Sequence, residues 1–382
     1  MPVPTRPGRG PGVRAGRYSG DVPASSLPEP VPGSRPVPAP ERLSPARLPF
    51  AATAFDRDAV DRELQDVRVL AAQDPATLVL VLAGGLAPVA GGALVLVPAA
   101  ELPAVPHDPR RPEVYLGRLP GADGARGPRV LLRAVAAPEP GGEDAAAEPF
   151  AVPEPLVAAV AEFAAARGAG ELRWAGLREL GPVLPAADTS LLVTAQSVGL
   201  WHRDHPRCPQ CGEPTEVIRS GWARQCRNDD SLHFPRTDPA IIVAVSDGHP
   251  DPERERLLLG RSALWKGNRF STLAGFVEPG ESLEQAVVRE VAEEAGLTVG
   301  DVQYLGSQPW PFPRSLMLGC RAVVRSGAAV PDGQEILELR WFTRAQLRDA
   351  ARTGSVTLPG RVSIAHALIA HWLGEDLPET AW

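Results

Sequence analysis

The stretch from Gly275 to Leu297 constrains the fold of this chain more than any other part of its sequence. Ser282 followed by Gln285 is the pattern of a capping box, which marks the start of a helix. Apolar residues then recur every three or four positions and predict one buried helix face. These apolar residues are Leu283, Ala286, Val287, Val291 and Ala295. Gly296 suits the left-handed position that ends a helix, so the stretch predicts a glycine-containing loop followed by an amphipathic helix.

Three glutamates lie on this predicted helix at positions i, i+3 and i+4: Glu290, Glu293 and Glu294. Like charges at that spacing destabilise an isolated helix by roughly 0.2–0.5 kcal/mol per pair. A bound cation would reverse the sign of that effect, and carboxylate oxygen is the ligand that Mg²⁺ or Mn²⁺ prefers. A charged helix face in contact with solvent is the simpler alternative.

The complete spacing of the stretch resembles the Nudix box of the Nudix hydrolase superfamily. The matching residues are Gly275, Glu281, Arg289, Glu290, Val291, Glu293, Glu294, Gly296 and Leu297. The resemblance implies that Glu290 and Glu294 bind a divalent metal, and that Glu293 is a ligand or the group that deprotonates water. It also implies that Arg289 orients the glutamates by ion pairing. The expected chemistry is metal-assisted hydrolysis of a diphosphate.

Downstream, three prolines alternate with aromatic residues between Ser307 and Met317. The prolines restrict the backbone and hold the aromatic rings in defined positions, as stacking on a planar ligand requires. A structural loop with aromatics in the core is the alternative. The segment resembles the motif of the NADH pyrophosphatase branch of the Nudix superfamily. That resemblance implies substrate contacts from Gln308, Pro309, Trp310, Pro311, Phe312, Pro313, Arg314 and Ser315.

The same resemblance assigns four further positions. Glu335 is expected to complete the metal site, with Glu338 as the alternative. The carbonyl of Ala274 is expected to bind metal, and Ala365 is expected to contact the nucleotide. Phe234, which precedes the catalytic domain, corresponds to an aromatic residue that approaches the substrate.

A short cysteine-containing module precedes that domain. Cys208, Cys211 and Cys226 have the spacing of a zinc ribbon. Tetrahedral zinc needs a fourth ligand, which the spacing places at Asp229, with His233 and, less directly, His205 as alternatives. The NADH pyrophosphatase family has a fourth cysteine there, so this chain departs from the family at one ligand. The opposing interpretation is a decayed site; a retained zinc ion would be structural. Cys320 lies in an apolar strand and is expected in the core.

The length of 382 residues allows at least two cores. We expect residues 1–48, which are rich in proline and glycine, to be disordered. The segment is a functional arm, a tail without function or the product of a misplaced start codon. An N-terminal α/β domain at residues 49–202, a zinc ribbon at 203–238 and a catalytic domain at 239–382 are expected to follow. The fold class is α/β: the resemblance implies an α/β/α Nudix sandwich with a mixed sheet.

Composition limits the partners. A net charge of −7 argues against general binding of polyanions. No apolar run approaches the ~20 residues of a membrane helix, and no secretory signal is visible, so we expect a cytoplasmic protein without membrane contact. The resemblance implies a homodimer whose active sites involve both subunits.

Three functions are considered. The leading hypothesis is hydrolysis of NADH to reduced nicotinamide mononucleotide and AMP, with NAD⁺ as a weaker substrate. The second is removal of NAD caps from RNA 5′ ends by the same chemistry. The third, a non-catalytic nucleotide sensor, would be indicated by lost box glutamates, and all of them are present.

Overall fold

The computed structural model describes residues 41–44, 47–52, 54–64, 66, 68–69, 74–121, 125–136 and 154–377. All of these belong to one compact unit, Ala39–Trp382. Most of the predicted tail of residues 1–48 lies outside the described residues. Its last part is not a tail: Leu43 and Leu48 are buried, and the backbone N–H of Leu43 donates to the carbonyl of Leu305. These two leucines give the segment enough apolar surface to dock on a core.

The N-terminal part contains a seven-stranded sheet in the order β3-β2-β1-β6-β5, with β4 paired to β1 and β7 to β2. Its strands are β1 (Leu78–Ala83), β2 (Leu86–Ala90), β3 (Ala93–Leu94), β4 (Leu96–Pro98), β5 (Val114–Pro120), β6 (Arg126–Val135) and β7 (Arg173–Gly176). Its helices are α1 (Ala59–Leu64), α2 (Glu154–Ala166), α3 (Leu177–Leu180) and α4 (Ala186–Asp204). Short 3₁₀ turns occupy Pro49–Ala51 and Ala99–Glu101.

Helices cover both faces of this sheet because side chains alternate along each strand. Val79 and Val81 of β1 point into a core shared with helix α2. Leu80 and Leu82 point into a second core shared with helix α4. Strands β3 and β4 are nearly continuous in sequence but pair differently, since Ala93–Leu94 pairs with β2 and Leu96–Pro98 pairs with β1.

A small three-stranded sheet follows, in the order β10-β9-β8. Its strands are β8 (Thr215–Ile218), β9 (Ala223–Cys226) and β10 (Leu232–His233), with a 3₁₀ turn at Arg219–Gly221. This sheet carries the cysteine module.

The C-terminal sheet has six strands in the order β14-β15-β11-β12-β16, with β13 paired to β11. It is mixed, because β11 and β15 are parallel and the other pairs are antiparallel. The strands are β11 (Asp238–Ser246), β12 (Arg256–Ser262), β13 (Leu273–Phe276), β14 (Thr298–Trp310), β15 (Ser315–Ser326) and β16 (Ile336–Thr343). The helices are α5 (Leu283–Ala295), α6 (Arg344–Thr353) and α7 (Ile364–Leu373).

Strand β11 again separates two cores. Ile241 and Val243 pack with helix α5 on one face, whereas Ile242 and Ala244 pack with helices α6 and α7 on the other. The result is the expected α/β/α sandwich. Within the described residues, no helix is both long and apolar enough to cross a membrane.

The proline-rich segment is not an isolated loop. It forms the end of β14, a tight turn at residues 311–314 and the start of β15, with Trp310 paired to Ser315. Strand β14 is at the edge of the sheet, where proline is tolerated because the missing N–H costs no ladder bond.

Candidate active site

Helix α5 begins and ends as its sequence predicts. The Ser282 hydroxyl accepts from the N–H of Gln285, while the Gln285 side chain accepts from the N–H of Ser282. Gly296 ends the helix in the left-handed conformation, with φ 68°. These two caps fix which residues of the helix face the sheet and which face the surface.

Arg289 connects the box glutamates. Its guanidinium donates to both carboxylate oxygens of Glu281, at 2.7 and 2.9 Å. It also donates to Glu290 and Glu293, each at 2.9 Å, and to the carbonyl of Phe276 at 2.9 Å. Because a guanidinium is planar and carries five N–H donors, this one side chain fixes three carboxylates relative to strand β13.

The three helix glutamates differ in environment. Glu294 is buried, Glu290 is half-buried, and Glu293 is exposed. Burial, then the negative charges of Glu290 and Glu335, raise the pKa of Glu294 to about 8. Burial also raises the pKa of Glu290, against the opposing effect of the hydrogen bond from Arg289. Glu293 contacts Arg289 at the surface rather than the buried carboxylates.

A cavity of about 260 Å³ lies beside Glu294. Several residues predicted from sequence line it together: Ala274, Glu294, Trp310, Glu335 and Ala365. Glu335 precedes strand β16, and Ala365 is in the first turn of helix α7. Glu338, the alternative to Glu335, is hydrogen-bonded to Arg261 and Arg340 and does not line this cavity.

The acidic residues fit a divalent cation. One carboxylate oxygen of Glu294, Oε2, is buried and lacks a hydrogen-bond partner in the described part of the chain. A bound cation would give that oxygen a partner and favour the ionised form of the carboxyl group. Among the described residues, the carboxylates of Glu290, Glu294 and Glu335 do not converge to within 4.8 Å of one another. Mg²⁺ does not need all three to converge, since it keeps several waters and binds one or two carboxylates directly.

The end of β14, the turn at residues 311–314 and the start of β15 form a hairpin, called the proline hairpin below. Its side chains lie in two different environments. The Trp310 ring lines the cavity and packs on Phe50 and Phe312, with centroids 5.7 and 5.0 Å away. Gln308 is fully buried, donates to the carbonyl of Val362 at 2.8 Å and is not among the residues that line the cavity. Pro311, Phe312 and Pro313 line a different cleft, described below.

Four further predicted contact residues do not line the cavity in this structure. Arg314 donates to the carboxylate of Asp238 at 2.8 Å, and Ser315 is buried within strand β15. Phe234 is 48% exposed and lies under the guanidinium of Arg219. Pro309 lies in strand β14 beside Trp310 and is not part of the cavity lining.

Sequence reasoning missed several contributors. Trp265 lines the cavity from the turn after β12, and its place one residue before the sole lysine and a glycine was a usable signal. In the N-terminal part, the Gln196 side chain donates to the carbonyl of Pro311 at 2.8 Å. The guanidinium of Arg178 lies 4.3 Å from the Phe312 ring centroid. No local pattern marks these last two residues, because the contact depends on how the two sheets pack.

The cysteine module holds a second candidate metal site. Ligand atoms of Cys208, Cys211, Cys226 and Asp229 all lie within 4.8 Å of one another. The N–H of Gln210 points to the Cys208 sulfur and that of Asn228 to the Cys226 sulfur, each at 3.4 Å. This paired arrangement, with a carboxylate at the fourth corner, matches the tetrahedral donor set that zinc takes.

The environment of Asp229 keeps it ionised. Hydrogen bonds from the hydroxyl and the N–H of Ser231 hold the pKa of Asp229 far below its usual range. The His233 ring contacts the same Ser231 hydroxyl at 3.1 Å and is not part of the group of cysteine and aspartate ligand atoms. His205 instead contacts the carbonyl of Trp201 and stacks on its ring. Asp229 is therefore the better placed of the three candidates for the fourth ligand.

Comparison with known proteins agrees with these two sites. The NUDIX domain family matches residues 236–358, and the NADH pyrophosphatase zinc ribbon domain matches residues 203–234. The NAD-capped RNA hydrolase NudC of Mycobacterium bovis is 37% identical over 327 residues, covering 82% of this chain and 92% of that protein. NudC of Mycobacterium tuberculosis is 36% identical over the same length.

The NAD-capped RNA hydrolase NUDT12 of Macaca fascicularis is 41% identical over 211 residues, which cover 51% of this chain but only 45% of that relative. Among solved structures, a NUDIX hydrolase from Nitrosomonas europaea aligns with a TM-score of 0.34 and 21% identity, over 45% of this chain and 94% of that one. Given the near full-length similarity to NudC and the matched zinc ribbon, the chain belongs to the NADH pyrophosphatase branch of the Nudix hydrolase superfamily.

Proposed function

We propose that this chain hydrolyses the diphosphate of NADH and NAD⁺ to nicotinamide mononucleotide, in the matching redox state, and AMP. The supporting observation is that one cavity collects the buried carboxylate of Glu294, the carboxylate of Glu335 and the indole of Trp310. Carboxylates suit the metal that a diphosphate needs, and the indole suits a planar ring. The cavity is below the ~300–1,000 Å³ of pockets that enclose whole ligands, so it holds one part of a dinucleotide.

The acidic residues and Arg289 are proposed to bind and position a divalent metal. Glu290, Glu294, Glu335 and the carbonyl of Ala274 would hold Mg²⁺ or Mn²⁺. When bound, such an ion neutralises diphosphate charge and lowers the pKa of a coordinated water. Arg289 keeps Glu290 in place through a hydrogen bond of 2.9 Å. Glu293 pairs with Arg289, which supports a positioning role for Glu293 in this conformation.

Trp310 would stack on the planar ring of the substrate. Its own position is fixed by Phe50 on one side and by Phe312 on the other. A rigid ring loses little side-chain entropy on binding, which favours affinity. Ala365 lies at the cavity wall, where its small side chain leaves room for the nucleotide.

Removal of NAD caps from RNA is the second candidate, and two relatives favour it. NudC and NUDT12 are both named NAD-capped RNA hydrolases. The diphosphate bond is the same in both substrates, so one site serves either. The distinguishing test compares kcat/KM for NADH, NAD⁺ and NAD-capped RNA at equal salt, with Trp310→Leu beside wild type. Absence of turnover of all three substrates by metal-loaded wild type would refute both candidates.

Further properties belong to this proposal. Structural zinc held by Cys208, Cys211, Cys226 and Asp229 is supported by the donor set and the ribbon family. A homodimer, a cytoplasmic location and a choice between Mg²⁺ and Mn²⁺ remain predictions. So do the domain boundaries at residues 49–202, 203–238 and 239–382.

A further inference from the structure

A second and larger cleft, of about 840 Å³, lies on the other side of the proline hairpin. Its walls come from the N-terminal sheet, from helix α4 and from the hairpin turn at Pro311, Phe312 and Pro313. Trp310 lines the catalytic cavity, and the next three residues line this cleft. Consecutive residues of the hairpin thus line the catalytic cavity and this cleft.

The charged side chains described in the cleft lining are basic. Within the described part of the chain, the lining contains Arg111, Arg178 and Arg203 and no aspartate or glutamate, although the chain has a net charge of −7. Arg111 and Arg203 each pair with an aspartate outside the lining, Asp108 and Asp204. A guanidinium has five N–H donors, so such a pair still leaves donors for a phosphate group.

The cleft also offers a stacking surface. The Arg178 guanidinium lies 4.3 Å from the centroid of the Phe312 ring. Unpaired bases stack on aromatic rings and on arginine planes, while basic side chains follow the phosphate backbone. Gly84, Gly85 and Gly199 contribute wall without side chains, which lets a backbone approach closely.

We propose that this cleft binds the single-stranded RNA that follows an NAD cap, with Arg111 and Arg203 contacting phosphates and the Arg178–Phe312 pair stacking on a base. This inference rests on the second proposed substrate. It assigns a role in substrate selection to the N-terminal part of the chain, which otherwise lacks a catalytic feature. Neither Arg111 nor Arg203 lines the catalytic cavity, so NADH turnover is not expected to depend on them.

The test compares Arg111→Gln/Arg203→Gln with Arg348→Gln/Arg352→Gln. The control pair also removes two ion-paired arginines, from helix α6. Binding of a fluorescent NAD-capped single-stranded RNA is measured by anisotropy in a Glu294→Gln background, which prevents turnover. At ~0.1 M salt the cleft variant is expected to raise the Kd about tenfold. The slope of log binding constant against log salt concentration is expected to become less steep by roughly 1.4, since each contact with a single-strand phosphate contributes about 0.7. NADH turnover without the background substitution stays within about twofold of wild type.

Three outcomes would overturn the cleft assignment. One is an unchanged Kd for the capped RNA, and another is an equal loss in the control pair. The third is a changed oligomeric state with loss of NADH turnover, which would make the cleft a contact between two copies of the chain. Failure of wild type to hydrolyse either substrate would refute the proposed function instead, because RNA binding is measured separately from turnover.

Discussion

The carboxylate of Glu290 lies directly against the Cα of Gly275. A Cβ atom built at residue 275 would sit 1.9 Å from the carboxyl carbon of Glu290 and 2.0 and 2.2 Å from its oxygens. The first glycine of the box therefore makes room for a carboxylate of the box itself. A local sequence pattern does not reveal this contact between β13 and α5.

Gly275→Ala is expected to displace Glu290 and to lower kcat/KM for NADH by about 10- to 100-fold, as for other groups that orient a metal ligand. The Mg²⁺ concentration for half-maximal rate should rise as well. Gly300→Ala is the matched control, since its methyl group meets only the end of the flexible Arg325 side chain. Kinetics over a metal titration would check this, and a variant within about twofold of wild type would contradict the role given to Glu290.

Arg289→Lys is expected to cost activity although it conserves charge. Lysine cannot reproduce the two hydrogen bonds to Glu281 together with those to Glu290 and Glu293. We predict about 10- to 100-fold lower kcat/KM. If Arg289 acts through this network, Glu281→Gln added to Arg289→Lys has much less than its effect alone. Full additivity of the two kinetic losses would show that the residues act separately.

Asp229→Ala is expected to weaken zinc binding at least about tenfold, whereas Asp229→Cys retains zinc because it restores a fourth thiolate. Zinc content after dialysis against a chelator, measured by mass spectrometry, checks both. Asp230→Asn is the control, because Asp230 is a neighbouring acid with positive φ that asparagine tolerates. If Asp229→Ala retains zinc as wild type does, another residue is the fourth ligand. His233→Ala is then the next variant to measure.

His202 makes folding stability depend on pH. Burial, opposed by the hydrogen bond to the carbonyl of Gly221 and helped by the charges of Arg224 and Arg68, lowers the pKa of His202 to about 3. Below pH 6.5 the unfolded chain takes a proton that the folded chain does not, so stability falls as pH falls from about 6.5 towards 3. This contribution reaches about 2 kcal/mol between pH 7.5 and pH 5.

His202→Gln should remove that part of the pH dependence. Denaturant unfolding at several pH values measures it, with His107→Gln, an exposed histidine, as control. Parallel stability curves for His202→Gln and wild type between pH 7.5 and 5 would contradict the assignment.

Local sequence predicted helix α5 well, because its caps and apolar stripe are encoded within a few residues. The i, i+3 and i+4 spacing of its glutamates did not indicate how differently they are buried. Adjacent residues in a helix are separated by about 100°, so Glu294 turns into the protein while Glu293 stays at the surface. Distant contacts explain the remaining misses: Phe50 and Arg178 reach the hairpin only once the sheets pack together.

The central claim is that Glu294 serves hydrolysis of a dinucleotide diphosphate. The most direct test is chromatographic identification of products from NADH with Mg²⁺ or Mn²⁺, for wild type, Glu294→Gln and the control Glu284→Gln. Wild type and Glu284→Gln are expected to release AMP and reduced nicotinamide mononucleotide, with at least about 100-fold less from Glu294→Gln. Equal product release from Glu294→Gln and wild type, or none from wild type, would contradict the claim.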